Sequence, residues 1–240
     1  HLTGYGLLAD AVKAVETGAV RYVRLMKDVT LPPDKEVCFD LAKPETEGNP
    51  LIFDFNGHTI TGRQSNEDFA VFDIGYNFAQ GVILRDTSDN PGGITAEAGR
   101  PFYTGNIAVV EGGVYTGSKP ASVRISADPA GQIPEIKGGT FRTTGEYSFE
   151  AMGDEVIISG GTFCHGTKGA IVLHSNPLVP NPVLKLSGKL DIVDETPDTV
   201  SADLCIRGIV GEIEAVLDLS AWKGGSLDVM QPTVPGGPAE

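Results

Sequence analysis

The sequence predicts an all-β fold, a right-handed parallel β-helix, in which short strands wind into turns that stack on one another. Three observations favour this fold. A Gly-Gly phrase recurs at 112–113, 138–139 and 160–161, each copy follows a short run rich in β-branched residues, and an aromatic residue comes three positions after each first glycine. Such repetition is typical of a solenoid, because each repeat buries its apolar face only against its neighbours.

Looser copies extend the repeat in both directions. Their strand-like runs span 51–60, 81–88, 183–192 and 213–222. From position 112 onward the first glycines are 22 to 28 residues apart, and the copy containing Asp86 fills the one long gap before it. This period is that of one β-solenoid turn. Further apolar runs at 69–75, 122–127, 170–175 and 203–208 predict two or three strands in each turn.

The Gly-Gly pair is predicted to mark a corner where the chain leaves one face of the solenoid. Glycine is needed there if φ is positive or if the backbone of another turn approaches closely. The aromatic residues after the pair, Tyr115, Phe141 and Phe163, are predicted to stack inside the solenoid, with Ile60 at the equivalent place.

The start of the chain has a helical pattern instead. Five apolar residues lie on one face of a predicted helix at about 7–17: Leu7, Leu8, Ala11, Val12 and Val15. Gly18 is placed to end it. We expect this helix to cap the open end of the β-helix, whose strand edges would otherwise associate with other chains. Residues 19–31 are predicted to form one strand.

The domain boundaries follow from these elements. We expect a single β-helix domain over 1–230, with repeat turns over about 20–225. The Pro/Gly-rich segment 231–240 is predicted to be a tail or a linker to other domains of a longer parent protein.

The composition excludes several classes of function. The formal charge of −14, from 18 basic and 32 acidic residues, repels nucleic acid. The sequence has no apolar run long enough for a membrane span, so we expect no membrane insertion. Three cysteines, Cys38, Cys164 and Cys205, lie far apart and are interpreted as small apolar core residues.

A family resemblance emerges from the whole pattern. The helix LLADAVKAVETG, the strand ending in KDVTL, the segment LIFDFNGHTITG and the serial GGTF phrases resemble the pectate-lyase-like right-handed β-helix superfamily. More narrowly, they resemble β-helix repeat modules of large bacterial cell-surface proteins. The resemblance covers most of residues 5–225. It implies a secreted, extracellular or surface-displayed module.

The resemblance leaves two functions open. The first is a non-catalytic, adhesin-like module, a rigid stalk or an adhesion surface that contacts a polysaccharide, a cell-surface glycan or a protein. The alternative is a polysaccharide lyase or glycoside hydrolase that acts on an extended polysaccharide along one face of the β-helix.

A polar column provides the candidate site. The residues just before the corner are Asn56, Asp86, Glu111, Lys137, Ser159 and Ser187. The simplest interpretation is a solvent-facing column without catalysis, metal or cofactor. Under the enzyme alternative, Asp86 and Glu111 bind Ca²⁺ and Lys137 abstracts a proton, as in a lyase. A hydrolase would instead pair Asp86 with Glu111 or Asp54.

Two further motifs receive structural interpretations. His58, in NGHTITG, is predicted to lie in a tight turn and to hydrogen-bond the backbone. Cys164 and His165 are adjacent in a strand and so point to opposite faces, which argues against a shared zinc ion.

Overall fold

The protein is a three-faced parallel β-helix in a computed structural model. The structure describes residues 4, 6–39, 50–66, 69–75, 81–105, 108–118, 121–126, 133–153, 155–175, 182–195, 202–207, 216–224 and 226–230. All strand pairs in these ranges are parallel, and each of the three sheets takes every third strand along most of its length. The predicted all-β solenoid is therefore confirmed, with three strands in each turn. The predicted tail, 231–240, lies outside the described residues.

The strands are numbered in chain order. Sheet A contains β1 (Tyr22–Arg24), β4 (Leu51–Asp54), β7 (Val82–Arg85), β10 (Ala108–Val110), β13 (Glu135–Ile136), β16 (Val156–Ile158), β19 (Val183–Gly188) and β22 (Val216–Trp222). Sheet B contains β2 (Val29–Thr30), β5 (Thr59–Arg63), β8 (Gly93–Ala98), β11 (Val114–Gly117), β14 (Thr140–Thr143), β17 (Thr162–Cys164) and β20 (Asp191–Val193). Sheet C contains β3 (Val37–Phe39), β6 (Ala70–Ile74), β9 (Arg100–Thr104), β12 (Ala121–Ile125), β15 (Tyr147–Ala151), β18 (Gly169–His174), β21 (Ala202–Arg207) and β23 (Val229–Met230).

One turn of the solenoid is a strand of sheet A, then of sheet B, then of sheet C. Turn 4, for example, is β10, β11 and β12. Each predicted run that contains a Gly-Gly pair forms two strands, one in sheet A before the glycines and one in sheet B after them, because the glycines form the corner between the two sheets. The predicted single strand over 19–31 is also wrong, because this run too contains a corner between sheets A and B, although it has no glycine. It divides into β1 and β2, and Met26 is exposed at the corner between them.

The interior is a stack of aromatic and aliphatic side chains. The rings of Tyr115 and Phe141 are 5.3 Å apart at 13°, and those of Phe141 and Phe163 are 4.7 Å apart at 8°. Ile60 pairs with Ile94, which in turn pairs with Tyr115. The predicted interior column is thus confirmed. Offset stacking of this kind stabilises a core beyond the burial of area alone.

A single short helix, α1 (Leu8–Glu16), precedes the first turn. Ala11 and Val15 are buried in the main core, and the helix contacts β3. Gly18 has a φ of 78° just beyond the helix end. The predicted helix is confirmed, and it packs against the first turn of the solenoid. No helix in the described ranges is long and apolar enough to cross a membrane.

The three cysteines are free thiols. Cys164 and Cys205 are buried and Cys38 is partly exposed. Cys205 packs with Tyr147 and Val172 in a small cluster apart from the main core. Burial raises the pKa of the Cys164 thiol, and the nearby Glu195 carboxylate adds to this effect. The prediction of buried thiols holds for two of the three, but neither lies in the main core.

Candidate functional site

A groove runs along the corner between sheets A and B, and we call it the glycine groove. It encloses about 380 Å³. Its lining residues are Asp86, Ser88, Pro91, Gly112, Gly113, Gly139, Thr140, Gly161, Thr162, Lys189 and Asp191. They come from turns 3 to 7, so the groove spans four steps of about 4.8 Å, or about 19 Å, along the solenoid axis.

Bare backbone forms the floor of this groove for two physical reasons. A Cβ on Gly138 would lie 2.6 Å from the carbonyl oxygen of Glu111 in the previous turn, a distance too short for real Cβ atoms. Gly139 has a φ of 100°, a conformation that side-chain-bearing residues rarely adopt.

The corner 160–161 follows the same pattern, with a Cβ on Gly160 2.4 Å from the carbonyl oxygen of Lys137 and a φ of 109° at Gly161. At the corner 112–113 the positive φ of Gly113 recurs, but a Cβ on Gly112 would lie 3.3 Å from its nearest neighbour, a tight contact rather than an impossible one. Both predicted reasons for glycine are therefore confirmed at the corners 138–139 and 160–161, one at each position of the pair.

Amide donors face outward from the groove floor. The buried hydroxyl of Tyr115 donates a hydrogen bond of 2.9 Å to the carbonyl oxygen of Gly112. Because a trans peptide is planar, the following N–H, that of Gly113, points the opposite way, out of the core. Among the described contacts, no acceptor pairs with the amides of Gly113, Gly139 and Gly161. Their φ angles of 99°, 100° and 109° show one repeated geometry.

Hydroxyl groups and charges surround these donors. Thr140 and Thr162 are register partners on β14 and β17 and line the sheet B side. At one end, the ammonium of Lys189 is 3.6 Å from a carboxylate oxygen of Asp191. At the other end are Asp86 and Ser88. The groove can therefore donate and accept hydrogen bonds along its length.

Asp86 organises the corner at its end of the groove. Its carboxylate accepts hydrogen bonds from the backbone amides of Gly57 at 3.0 Å and Ser88 at 2.8 Å, and also from that of Gly92. These bonds hold the long corner 86–92 against the preceding turn. Most of the acceptor capacity of Asp86 is therefore used within the protein.

The polar column beside the groove has a different register from the predicted one. Asp54 pairs with Arg24 and with Arg85. The amide of Glu111 donates to Leu84, which places Glu111 beside Arg85, and the amide of Lys137 donates to Val110, which places it beside Glu111.

Asn56 and Asp86 therefore lie beyond the column in which the repeat alignment put them. The corners 55–58 and 86–92 are longer than the corner 111–113, so counting back from glycine misaligns the first turns. The actual order, Arg24, Asp54, Arg85, Glu111 and Lys137, alternates positive and negative charge along sheet A.

Asp54 is the buried member of this column. It accepts hydrogen bonds from the Tyr22 hydroxyl at 2.8 Å and from Thr87, and its carboxylate is 3.8 Å from Arg24. Burial opposes its ionisation, but the hydrogen bonds of Tyr22 and Thr87 outweigh burial and lower the pKa of Asp54. Arg85 lies over the Tyr22 ring at 5.3 Å. These contacts give Asp54 a structural role.

Of the predicted site residues, the structure aligns Glu111 with Lys137 and places Asp86 at the groove end. The ammonium of Lys137 is 3.5 Å from a carboxylate oxygen of Glu135 on its own side of the sheet. In the described part of the chain, no three His, Cys, Asp or Glu side chains come together to hold a metal ion. Calcium binding by Asp86 and Glu111, and proton abstraction by Lys137, stay predictions of the sequence.

His58 lies in the predicted tight turn. Its amide donates to Phe55 at 2.9 Å, and Asn56 and Gly57 both have positive φ, of 51° and 79°. The imidazole, however, contacts the Asp28 carboxylate at 3.3 Å rather than the backbone. That detail of the prediction is wrong, because Asp28 occupies the equivalent corner of the turn before.

Cys164 and His165 reach different partners. The thiol lies beside Arg142 and Glu195, whereas Nε2 of His165 is 3.0 Å from the Asp203 carboxylate.

Sequence reasoning missed a cluster of charges on the outer side of sheet C. Glu150 is almost fully buried, and Arg124, Arg100 and His174 contact its carboxylate. Burial raises the pKa of Glu150, but the hydrogen bond from His174 and the charges of Arg124 and Arg100 outweigh it and lower the pKa to about 2. The signal was a charged residue inside a strand-like run, Arg124 in SVRIS and Glu150 in YSFEA.

Comparisons with protein-family models, with curated proteins and with solved structures find no match for this chain. A functional assignment therefore depends on the fold and on these surfaces.

Proposed function

We propose that this chain is a non-catalytic β-helix module of an exported or surface-displayed bacterial protein, of the pectate-lyase-like kind, that holds a glycan in the glycine groove. The observation that carries the proposal is a row of amide donors at Gly113, Gly139 and Gly161 that have no acceptor among the described residues and are spaced by one turn along an open groove.

The fold suits a stalk. Each turn is bonded to the next through all three sheets over most of the solenoid, and the interior stack of Tyr115, Phe141 and Phe163 is continuous from turn 4 to turn 6. A close-packed core of this kind has low compressibility and transmits strain from turn to turn, as a stalk requires.

The groove favours an extended, neutral polysaccharide. Sugar hydroxyl and ring oxygens accept hydrogen bonds from amides, and sugar hydroxyls can donate to Thr140 and Thr162. An equatorially 1,4-linked pyranose advances per sugar by nearly the spacing of one solenoid turn, whereas an extended peptide advances by about 3.3 Å per residue. The formal charge of −14 disfavours polyanionic chains.

The test is calorimetric titration with cello-oligosaccharides, chito-oligosaccharides and polygalacturonate. The double variant Thr140→Val with Thr162→Val keeps the side-chain shape and removes two hydroxyls from the groove. We expect at least tenfold weaker binding of a neutral oligosaccharide. The control pair, Thr95→Val with Thr116→Val, lies on sheet B outside the groove lining and should bind as the parent does.

Absence of binding by the parent protein to all three glycans, or equal loss in both pairs, contradicts the proposal.

The enzyme alternative draws support from one observation, that Glu111 and Lys137 lie side by side next to the groove. The same glycans are assayed for new unsaturated ends by ultraviolet absorbance and for new reducing ends. Product formation that disappears in Glu111→Gln would replace the binding module with a lyase or hydrolase. A parent protein that binds and releases no product supports the module.

A further inference from the structure

The floor of the glycine groove offers hydrogen-bond donors but few acceptors. Its three central residues, which we call the floor glycines, are Gly113, Gly139 and Gly161. Their amides have no acceptor among the described residues. Their carbonyl oxygens are already used, because each accepts a bond of 2.8 to 2.9 Å from the first amide of the sheet B strand in the next turn, that of Thr140, Thr162 or Asp191. A ligand group that lies on this floor therefore accepts hydrogen bonds and has little to donate to.

This chemistry discriminates between the polar groups of a glycan. A hydroxyl group both accepts and donates, so on a floor of donors its own proton finds no protein partner unless a threonine of the sheet B side is within reach. A carbonyl oxygen only accepts, and its hydrogen-bonding capacity is therefore matched by the floor alone. The acetamido group of an N-acetylated sugar carries such an oxygen.

Carboxylates also only accept, but the charges of the groove oppose them. Asp86 lies at one end of the groove and Asp191 at the other. The ammonium of Lys189, which could attract an anion, is 3.6 Å from a carboxylate oxygen of Asp191. The chain as a whole has a formal charge of −14. A neutral carbonyl group is therefore favoured over an acidic one.

The spacing of the floor glycines suits acetamido groups on alternate sugars. Gly113 and Gly161 are two turns apart, a separation of about 9.6 Å along the solenoid axis. In an extended chain of equatorially 1,4-linked pyranoses, each sugar is turned over relative to the next, so the same substituent faces the same side at every second sugar. Two sugars advance by nearly two turns. The first and third acetamido groups can therefore lie over Gly113 and Gly161, with the middle sugar over Gly139.

We propose that the glycine groove is selective for N-acetylated, 1,4-linked glycans, whose acetamido carbonyl oxygens accept hydrogen bonds from the amides of Gly113 and Gly161. This inference rests on the proposed glycan-binding function and adds the substituent that the groove recognises. The smallest ligand that reaches both amides has three sugars.

The experiment compares three neutral oligosaccharides by calorimetric titration of the whole chain. Triacetylchitotriose carries the acetamido groups, cellotriose has the same backbone with a hydroxyl in place of each of them, and diacetylchitobiose is one sugar shorter. We expect triacetylchitotriose to bind about tenfold more tightly than either of the others, since each of them leaves floor amides without a carbonyl partner.

The outcomes separate this inference from the proposed function. Cellotriose that binds as tightly as triacetylchitotriose would overturn the acetamido selectivity and leave the glycan-binding module standing. Equal affinity for the two-sugar and three-sugar ligands would overturn the pairing with two amides. No binding of any of the three contradicts both the inference and the function on which it rests.

Nuclear magnetic resonance locates the contact. A donor amide proton moves downfield when it binds a carbonyl oxygen, so saturation with triacetylchitotriose should shift the amide protons of Gly113 and Gly161 more than that of Gly139. Cellotriose should shift them less. The amide of Gly6, outside the groove, is the control and should not move. Unchanged resonances at Gly113 and Gly161 in a saturated complex would overturn the proposal.

A variant of the groove lining provides an independent test. Gly112→Ala adds a methyl group beside the Gly113 amide, where the new Cβ would lie 3.3 Å from the backbone nitrogen of Asp86, and the φ of Gly112 is not positive. We expect about tenfold weaker binding of triacetylchitotriose, because the methyl group obstructs the floor. Gly6→Ala, whose added Cβ meets open space, should bind as the parent does. Circular dichroism and the unfolding midpoint verify that both variants are folded. Equal binding by a folded Gly112→Ala variant would overturn the proposed contact.

Discussion

At the scale of single residues, Phe141 is the strongest test of the interior stack. Its ring is fully buried between those of Tyr115 and Phe163. We expect Phe141→Ala to reduce the free energy of unfolding by about 3 to 5 kcal/mol, because the ring leaves a cavity that rigid parallel strands cannot close. Urea unfolding measures this loss. The control is Phe69→Ala, since Phe69 is 52% exposed and its loss should cost less than about 1 kcal/mol.

A loss well under about 1 kcal/mol for Phe141→Ala as well would contradict the stacked interior.

Glu150 makes stability depend on acid pH. Its pKa is about 2 in the folded protein against 4.5 for an unperturbed glutamate, so folding favours the ionised form. This contribution is fully present above about pH 4.5 and is lost as the pH falls through about 2. At about 1.4 kcal/mol per pH unit, the loss is on the order of 3 kcal/mol.

Urea unfolding between about pH 5.5 and about pH 2.5 measures this dependence. Glu150→Gln should be less stable at the higher pH, because Arg100 and Arg124 lose a charged partner, and its stability should depend less steeply on pH. Glu195→Gln, in an exposed pair with Arg142, should keep the slope of the parent. An unchanged slope in Glu150→Gln would show that other carboxylates cause the acid dependence.

At the scale of elements, the Gly-Gly corner sets the path of the chain between sheets A and B. Gly138→Ala and Gly139→Ala should each lower stability by about 1 to 3 kcal/mol, the first through contact with the Glu111 carbonyl and the second through its positive φ. Thermal unfolding compares them with Gly6→Ala, where an added Cβ meets open space. Equal stability of all three variants would contradict the assigned corner geometry.

Much of this element pattern could be predicted from the sequence. The Gly-Gly corner and the interior aromatic residue recur once per turn at positions where local chemistry leaves few alternatives, and the first helix ends just before a glycine for the same kind of reason. It is harder to tell from the sequence which strands belong to which of the three sheets. In the run 133–141, two strands of different sheets are divided only by the corner, so the sequence resembles one long strand. Sheet C strands carry no Gly-Gly phrase, and β9 is separated from β8 by Gly99 alone.

The candidate site was less predictable because it depends on register. Counting residues back from the glycines places Asp86 in the polar column only if all corners have the same length. The corner 86–92 is longer than the other corners between sheets A and B, so Asp86 lies outside the column. The charge cluster on sheet C joins Arg100, Arg124, Glu150 and His174, which are spread along the chain from position 100 to position 174. No local motif encodes that contact, since only the number of residues in each turn brings the four together.

At the scale of the whole molecule, the two ends of the solenoid differ. Helix α1 packs against the first turn at one end, and its Val15 belongs to the main core. At the other end, β22 pairs with β19 alone and β23 with β21 alone among the described strands. Half-exposed apolar side chains gather there: Val193, Val216, Leu219, Val229 and Met230. The last turn therefore has fewer buried contacts than the turns around Phe141.

This asymmetry predicts a gradient of local stability. In a solenoid, each turn is stabilised chiefly by its neighbours, so a turn with one neighbour opens at lower free energy than a turn with two. We expect the amides of β14 and β17 to exchange with solvent deuterium most slowly, and those of β22 and β23 to exchange fastest after correction for intrinsic rates. Phe141→Ala should accelerate exchange in turns 4 to 6 and change it little in β23. Equal protection of the backbone amides from β4 to β23 would instead mean that the solenoid opens as one cooperative unit. The stack of Tyr115, Phe141 and Phe163 would then stabilise the last turn as strongly as it stabilises turns 4 to 6.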